Sequence, residues 1–102
     1  MAKVTVKYAP KSLEDLDEIE VYYSDNPSNK QIRAIFDRID DLKQQPLRGR
    51  PIREMQDKNI RHIEAGNYRI IYHVIAEDLL MIIRVLHYKR HLNPDEDLDF
   101  DY

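Results

Sequence analysis

The sequence predicts an α+β domain in which an N-terminal strand and a helical hairpin precede a three-stranded antiparallel meander. Three observations carry this reading. Apolar and polar residues alternate at the start of the chain. Apolar residues then recur at helical spacing through residues 13–42. Beyond residue 60, Val, Ile and Tyr gather in runs separated by two tight turns.

Val4, Val6 and Tyr8 alternate with Lys3, Thr5 and Lys7, the pattern of a strand with one buried face, and Pro10 ends it. Ser12 followed three residues later by Asp15 reads as a helix cap, with Leu13, Leu16, Ile19 and Tyr23 as the apolar stripe and acids in the first turn to suit the helix dipole. Asn26-Pro27-Ser28 breaks this helix. Ser28 and Gln31 then start a second one, whose stripe is Ile32, Ile35, Phe36, Ile39 and Leu42 and which stops at Gln45-Pro46. Residues 46–59 are basic and irregular, contain Gly49 and Pro51, and are expected to form a long exposed loop. Ile60–Glu64, Tyr68–Ala76 and Leu79–Tyr88 read as strands, joined at Ala65-Gly66-Asn67 and Glu77-Asp78. The apolar centre of the meander is expected to lie under the helical hairpin. Asn93-Pro94 closes the fold, so residues 1–94 are expected to be one domain and residues 95–102 an acidic tail.

Composition narrows the function. The chain has 102 residues, of which 42% are hydrophobic, enough for one modest core and no second domain. It has no Cys, which excludes thiol catalysis and cysteine-ligated metal centres and suits a reducing cytoplasm. The alternating N-terminus has no signal-peptide character. The longest apolar runs, Leu79–Ile83 and Ile70–Ile75, are far short of the roughly 20 residues that span a bilayer. A cytoplasmic protein without membrane partners is expected. The net charge of −3 hides a segregation of charge. Five acids lie in the last eight residues, while residues 1–94 hold sixteen bases against fourteen acids, a net +2. Arg48, Arg50, Arg53, Lys58, Arg61, Arg84, Lys89 and Arg90 fall from residue 48 onward, the footprint of a surface that binds phosphate or RNA.

Hairpin arithmetic locates a candidate site. A two-residue loop at Glu77-Asp78 sets Arg69 opposite Leu86, and a loop one residue longer sets it opposite His87. Either way Arg69 meets the end of the last strand, where His87 and Tyr88 lie. The same counting brings Glu64 near Arg69 and sets the strand carrying Arg61 alongside. Arg69, His87 and Tyr88, with Glu54 from the basic loop, form a set able to cleave RNA without metal. Attack of a ribose 2′-hydroxyl on phosphorus needs a base, an acid for the leaving 5′-oxygen, and fixed positive charge on the phosphorane. The same residues also have plain structural readings, with Arg69 as the ion-pair partner of Glu64 and His87 and Tyr88 as strand-end residues. His62, His73, His87 and His91 do not make a metal site by spacing: His87 and His91 are four apart, but at a strand end instead of on a helix. No metal and no cofactor is expected.

Asn67-Tyr68-Arg69-Ile70-Ile71-Tyr72-His73-Val74, followed by Ile82-Ile83-Arg84-Val85-Leu86-His87-Tyr88-Lys89-Arg90, resembles the RelE/ParE superfamily of toxins from type II toxin–antitoxin systems. Asp15-Leu16-Asp17-Glu18-Ile19, Tyr22-Tyr23, and Leu42 to Gly49 agree in order, so the resemblance covers residues 3–92. It implies a small α+β toxin bound by a cognate antitoxin. The RelE branch cleaves mRNA on the ribosome and the ParE branch inhibits DNA gyrase. Arg69 matches the family's Tyr-Arg-x-x-Tyr arginine, which holds the scissile phosphate in nuclease members. His87-Tyr88 resembles the pair that ends the last strand in YoeB-like nucleases, and Glu54 lies near their base. The paired lysines of RelE have no counterpart in residues 48–58. The resemblance thus implies a ribosome-dependent mRNA endonuclease, with a gyrase inhibitor as the alternative.

Overall fold

The computed structural model describes residues 3–25 and 30–102. The expected break at Asn26-Pro27-Ser28, the Ser28 cap and the first two residues of the N-terminus lie outside them. The elements run β1 (Thr5–Tyr8), α1 (Pro10–Tyr22), α2 (Lys30–Gln44), β2 (Arg50–Pro51), β3 (Ile60–Ala65), β4 (Tyr68–Ala76), β5 (Leu79–His87) and a helical turn, α3 (Pro94–Asp97). One five-stranded sheet takes the order β1-β5-β4-β3-β2. The meander is antiparallel as predicted, and β1 joins it parallel to β5, from Thr5 opposite Leu79 to Tyr8 opposite Ile82. A parallel neighbour requires a long crossover, which the two helices supply.

Local chemistry accounts for the boundaries, with two corrections. α1 begins at Pro10 and not at Ser12, because proline's fixed φ suits the first helical position. Ser12 therefore lies inside the helix, its hydroxyl donating to the Ala9 carbonyl at 2.7 Å, and no acid lies in the first turn to meet the dipole. Residues 46–59 are not simply an exposed loop. Arg50 pairs with His62 and Pro51 with Arg61 across β2 and β3, and Ile52 is buried. At the β3–β4 turn, Gly66 takes a φ of 58°, a conformation that favours glycine.

Helices α1 and α2 cover only one face of the sheet. Leu16 and Ile19 of α1 and Ile35, Ile39 and Leu42 of α2 pack with Tyr68, Ile70, Tyr72, Leu80, Ile82 and Val85. On the other face Ile60, Ile71, Ile83 and Leu86 are covered by Ile52, Met55, Leu92 and Leu98. Residues 95–102, expected as an acidic tail, therefore lie on the fold instead of outside it. Asp97 and Leu98 are buried, and the Tyr102 hydroxyl meets Nδ1 of His73 at 2.6 Å. Their apolar members, and the partners of Asp97, hold them there. Among the described residues no helix is long and apolar enough to cross a membrane.

Two irregularities shape the β4–β5 pair. Ile83 is an extra residue between the Ile71–Arg84 and Tyr72–Ile82 pairs, and Ile75 is extra between Val74–Leu80 and Ala76–Leu79. They cancel, so Arg69 stands opposite Leu86, as the two-residue loop requires.

Beyond Ile82, β5 has lost β1 as a neighbour, and a carboxylate takes the place of the missing strand. Asp15 Oδ2 accepts the Val85 amide at 3.0 Å and Nε of Arg84 at 2.7 Å, and Oδ1 accepts Nη2 at 2.9 Å. Nη1 of Arg84 donates to the Asp97 carbonyl at 3.0 Å, and Asp97 Oδ1 accepts Nη2 of Arg90 at 2.6 Å. One buried guanidinium thus ties α1 to the C-terminal segment around the open sheet edge. Breaking a buried ion pair from one side strands a charge, at a cost of about 3–5 kcal/mol. Asp15→Ala is expected to lose that much in urea unfolding, and Asp15→Leu combined with Arg84→Met to lose less than the single change.

Candidate functional site

The sheet face turned away from α1 and α2 assembles a hydrogen-bonded cluster around Arg69. On β3, Ile60, His62 and Glu64 face the same way, and on β4 Arg69 and Ile71 do so. Because Glu64 stands opposite Arg69, His62 is its diagonal neighbour. Nε of Arg69 donates to Nδ1 of His62 at 2.9 Å. Its Nη1 and Nη2 donate to the two carboxylate oxygens of Glu54 at 3.3 and 3.2 Å. The ion-pair partner of Arg69 is thus Glu54 and not Glu64. Arg50 enters beside the cluster, opposite His62 on β2.

The loop that delivers Glu54 is held at its root. Gly49 donates its amide to the hydroxyl of the fully buried Tyr72 at 2.8 Å, and its carbonyl accepts Nη1 of Arg61 at 2.8 Å. A Cβ at Gly49 would stand 2.5 Å from both the His62 carbonyl and the Tyr72 hydroxyl, so only glycine fits this approach. Ile52 and Met55 then anchor the chain on either side of Glu54 in the second core.

Electrostatics set the protonation states. Burial alone would raise the pKa of Glu54, but the hydrogen bond from Arg69, a backbone hydrogen bond and the charge of Arg69 together outweigh it and hold the carboxyl below its ordinary value. Burial, then the charges of Arg69 and Arg50, depress His62. An arginine cannot give up its proton here, so Nδ1 of His62 is the acceptor and the neutral ring carries its proton on Nε2. The cluster at neutral pH is a carboxylate, a guanidinium and a neutral imidazole.

The other residues singled out from the sequence are distributed elsewhere. His87 and Tyr88 reach the same end of the sheet as Arg69 but not the same face. His87 stands opposite Tyr68, on the helical side, with ring centroids 5.5 Å apart and edge-on. The physical reason is the extra residue Ile83, which switches the alternation of β5 so that Val85 and His87 follow Leu80 and Ile82 on the helical face. Tyr88 is exposed, its ring 4.8 Å from that of His87, with Nζ of Lys89 5.8 Å above it. Arg84 is buried in the ion-pair network and Arg90 is bound to Asp97, so neither lines an open basic face. Arg61 is occupied with Gly49. Arg48 and Arg50 share a cleft with Arg38, Gly49 and His62, and Arg53 and Lys58 are exposed on the loop. His62 was absent from the site read from the sequence, though the register that placed Glu64 opposite Arg69 carries the signal: two residues back on β3 is the same face. Among the described residues, no group of three or more His, Asp or Glu side chains converges to hold a metal ion.

The model of the family of ParE toxins of the type II toxin–antitoxin system parDE matches residues 6–92. The chain belongs to the ParE toxin family. Solved toxin structures share its fold. A chain of the chromosomal ParDE toxin–antitoxin system from P. aeruginosa superposes with a TM-score of 0.64 at 17% identity, covering 85% of this chain and 98% of that one. A chain of the RelBE2 toxin–antitoxin complex from Mycobacterium tuberculosis gives 0.64 at 25% identity, covering 84% and 99%. The E. coli toxin RelE, as a mutant in the free state, gives 0.61 at 17% identity over 87% and 86%. No curated protein matches the sequence.

Two outcomes follow for this ParE-family toxin. Tyr72→Phe leaves the Gly49 amide buried without a partner and is expected to cost about 1–3 kcal/mol in chemical unfolding. The depressed pKa of His62 makes stability pH-dependent. As pH falls through about 6.5 the unfolded chain takes up a proton that folded His62 refuses, so stability is present above that value and drops below it. Glu54, also depressed, adds a second loss below the ordinary carboxylate range. Thermal melts at about pH 7.5 and 5.5 test this, with His62→Gln expected to shrink the difference.

Proposed function

We propose that this ParE-family toxin cleaves RNA without a metal, as a ribosome-dependent mRNA endonuclease of the cytoplasm neutralised by a cognate antitoxin. The observation that carries the reading is the Glu54–Arg69–His62 cluster, an ionised carboxylate hydrogen-bonded to a guanidinium on the sheet face turned away from α1 and α2. Glu54 is the base that takes the proton of the ribose 2′-hydroxyl as the 2′-oxygen bonds to phosphorus. Arg69 carries the charge of the phosphorane, and His62 fixes the guanidinium by accepting from its Nε. The bond from phosphorus to the 5′-oxygen then breaks, and that oxygen takes a proton from solvent water. Neutral His62 is a poor acid, since loss of its Nε2 proton would leave an anion, and His87, which accepts the Lys89 amide at its own Nδ1, points from the opposite face of the sheet, so the proton comes from solvent. Pairing of β4 with β5 ends at Tyr68 and His87, and an RNA strand laid across that end meets Arg69 on one face and His87 on the other. The exposed ring of Tyr88 gives a base a surface to stack on. Arg48, Arg50, Arg53, Lys58 and Lys89 attract the rest of the backbone.

The ParE family model favours a second reading, in which the chain inhibits DNA gyrase by binding it. Antitoxin binding is common to both readings. The P. aeruginosa and M. tuberculosis relatives come from toxin–antitoxin systems, and co-expression with the neighbouring small protein should relieve toxicity and yield a complex.

Purified protein, translating ribosomes and mRNA provide the deciding assay. Arg69→Ala is expected to lose about 2–4 kcal/mol of transition-state stabilisation, roughly 30-fold to several hundred-fold in rate, while remaining folded. Wild-type protein that leaves translated mRNA intact and blocks gyrase supercoiling would replace this reading with the second.

A further inference from the structure

Each nitrogen of Arg69 already has a partner inside the molecule: Nε has His62, and Nη1 and Nη2 have the two oxygens of Glu54. Glu54 holds the guanidinium in the two-by-two fashion in which a guanidinium also takes a phosphate, so carboxylate and phosphodiester are rivals for one fork. The two contacts made by Glu54 are long for a charge-assisted pair, at 3.2 and 3.3 Å against 2.9 Å for the His62 contact. The carboxylate comes from irregular chain between β2 and β3, pinned by Ile52 and Met55, and its side chain retains 27% exposure. The imidazole comes from the sheet itself. Withdrawal of Glu54 would therefore leave the guanidinium still aimed by His62, with Arg50 opposite His62 adding positive charge.

We infer that Glu54 gates an oxyanion site. In the resting toxin its carboxylate fills the Arg69 fork, and it must leave for the oxygens of a phosphodiester to enter. Once displaced it stands beside the bound phosphate, where a base is needed. This rests on the RNA reading and deepens it: the substrate assembles the site by exchanging one anion for another, and His62 keeps the clamp in place during the exchange.

Binding to a short, fluorescently labelled 2′-O-methyl RNA, which lacks the attacking hydroxyl, tests the gate apart from any cleavage. If Glu54 occupies the fork about nine-tenths of the time, Glu54→Gln should bind about tenfold tighter than wild type. Arg69→Ala should erase the gain, so that Arg69→Ala with Glu54→Gln binds no tighter than Arg69→Ala alone. Glu64→Gln makes the same charge change opposite Arg69 without touching the guanidinium, and should alter affinity less than about twofold. Thermal melts of each variant confirm folding. The inference is overturned if Glu54→Gln binds equally or more weakly, if Glu64→Gln gives the same gain, or if no variant binds the RNA. It is also overturned if Glu54→Gln tightens binding of a Glu-rich peptide and not of RNA, which would make the fork a protein-binding site. A toxin that never cleaves mRNA while Glu54→Gln still binds RNA more tightly would remove the nuclease reading and leave the gate standing.

Discussion

The buried guanidinium of Arg84 is the contact on which the two layers of this protein depend. β5 has a parallel neighbour only as far as Ile82, and past that point its backbone would face solvent on one side. Asp15 closes this gap by accepting the Val85 amide, but an ionised carboxylate there must be neutralised, and Arg84 does so while also reaching Asp97. Removal of any one member leaves a charge or a strand amide in a dry place, where each is worth far more than at the surface. The layers on opposite faces of the sheet are thus joined around its edge and not through it.

The face that carries the Arg69 cluster depends on a second constraint of another kind. Its cover is irregular chain, which has no repeating hydrogen-bond pattern of its own and is held at a few points: Gly49 on Tyr72, Ile52 and Met55 in the second core, and Glu54 on Arg69. Tyr102, whose pKa burial and then the charges of Asp57 and Asp99 raise to about 12, brings the end of the C-terminal segment up to the same stretch.

How much of this was legible in the sequence follows from the range of each interaction. The strands of the meander and the Arg69–Leu86 register came from alternation and turn length, which are local. The helical stripes came from spacing, although α1 starts earlier than its serine suggested because proline at the first position is the stronger signal. The toxin family was legible in the strand motifs, and its fold with it. β2 was not, since two residues carry no period. The fate of residues 95–102 was hidden because five acids look solvated until Arg84 and Arg90 are known to face Asp97. The partner of Arg69 was missed for a related reason. Glu64 is close by register, whereas Glu54 arrives by a loop whose path is set by a tyrosine hydroxyl 23 positions away from the glycine it holds.

The paired irregularities in β4 and β5 bear on how such proteins are compared. Ile75 and Ile83 each add one residue to opposite strands of a single hairpin, so the count from Arg69 to Leu86 equals that of a hairpin with neither. A gapless alignment with a relative lacking both would look faultless at either end and be wrong in the middle, with side chains from 76 to 82 matched to positions on the opposite face. Equal length conceals two compensating insertions, much as two opposite frameshifts restore a reading frame while scrambling the codons between them.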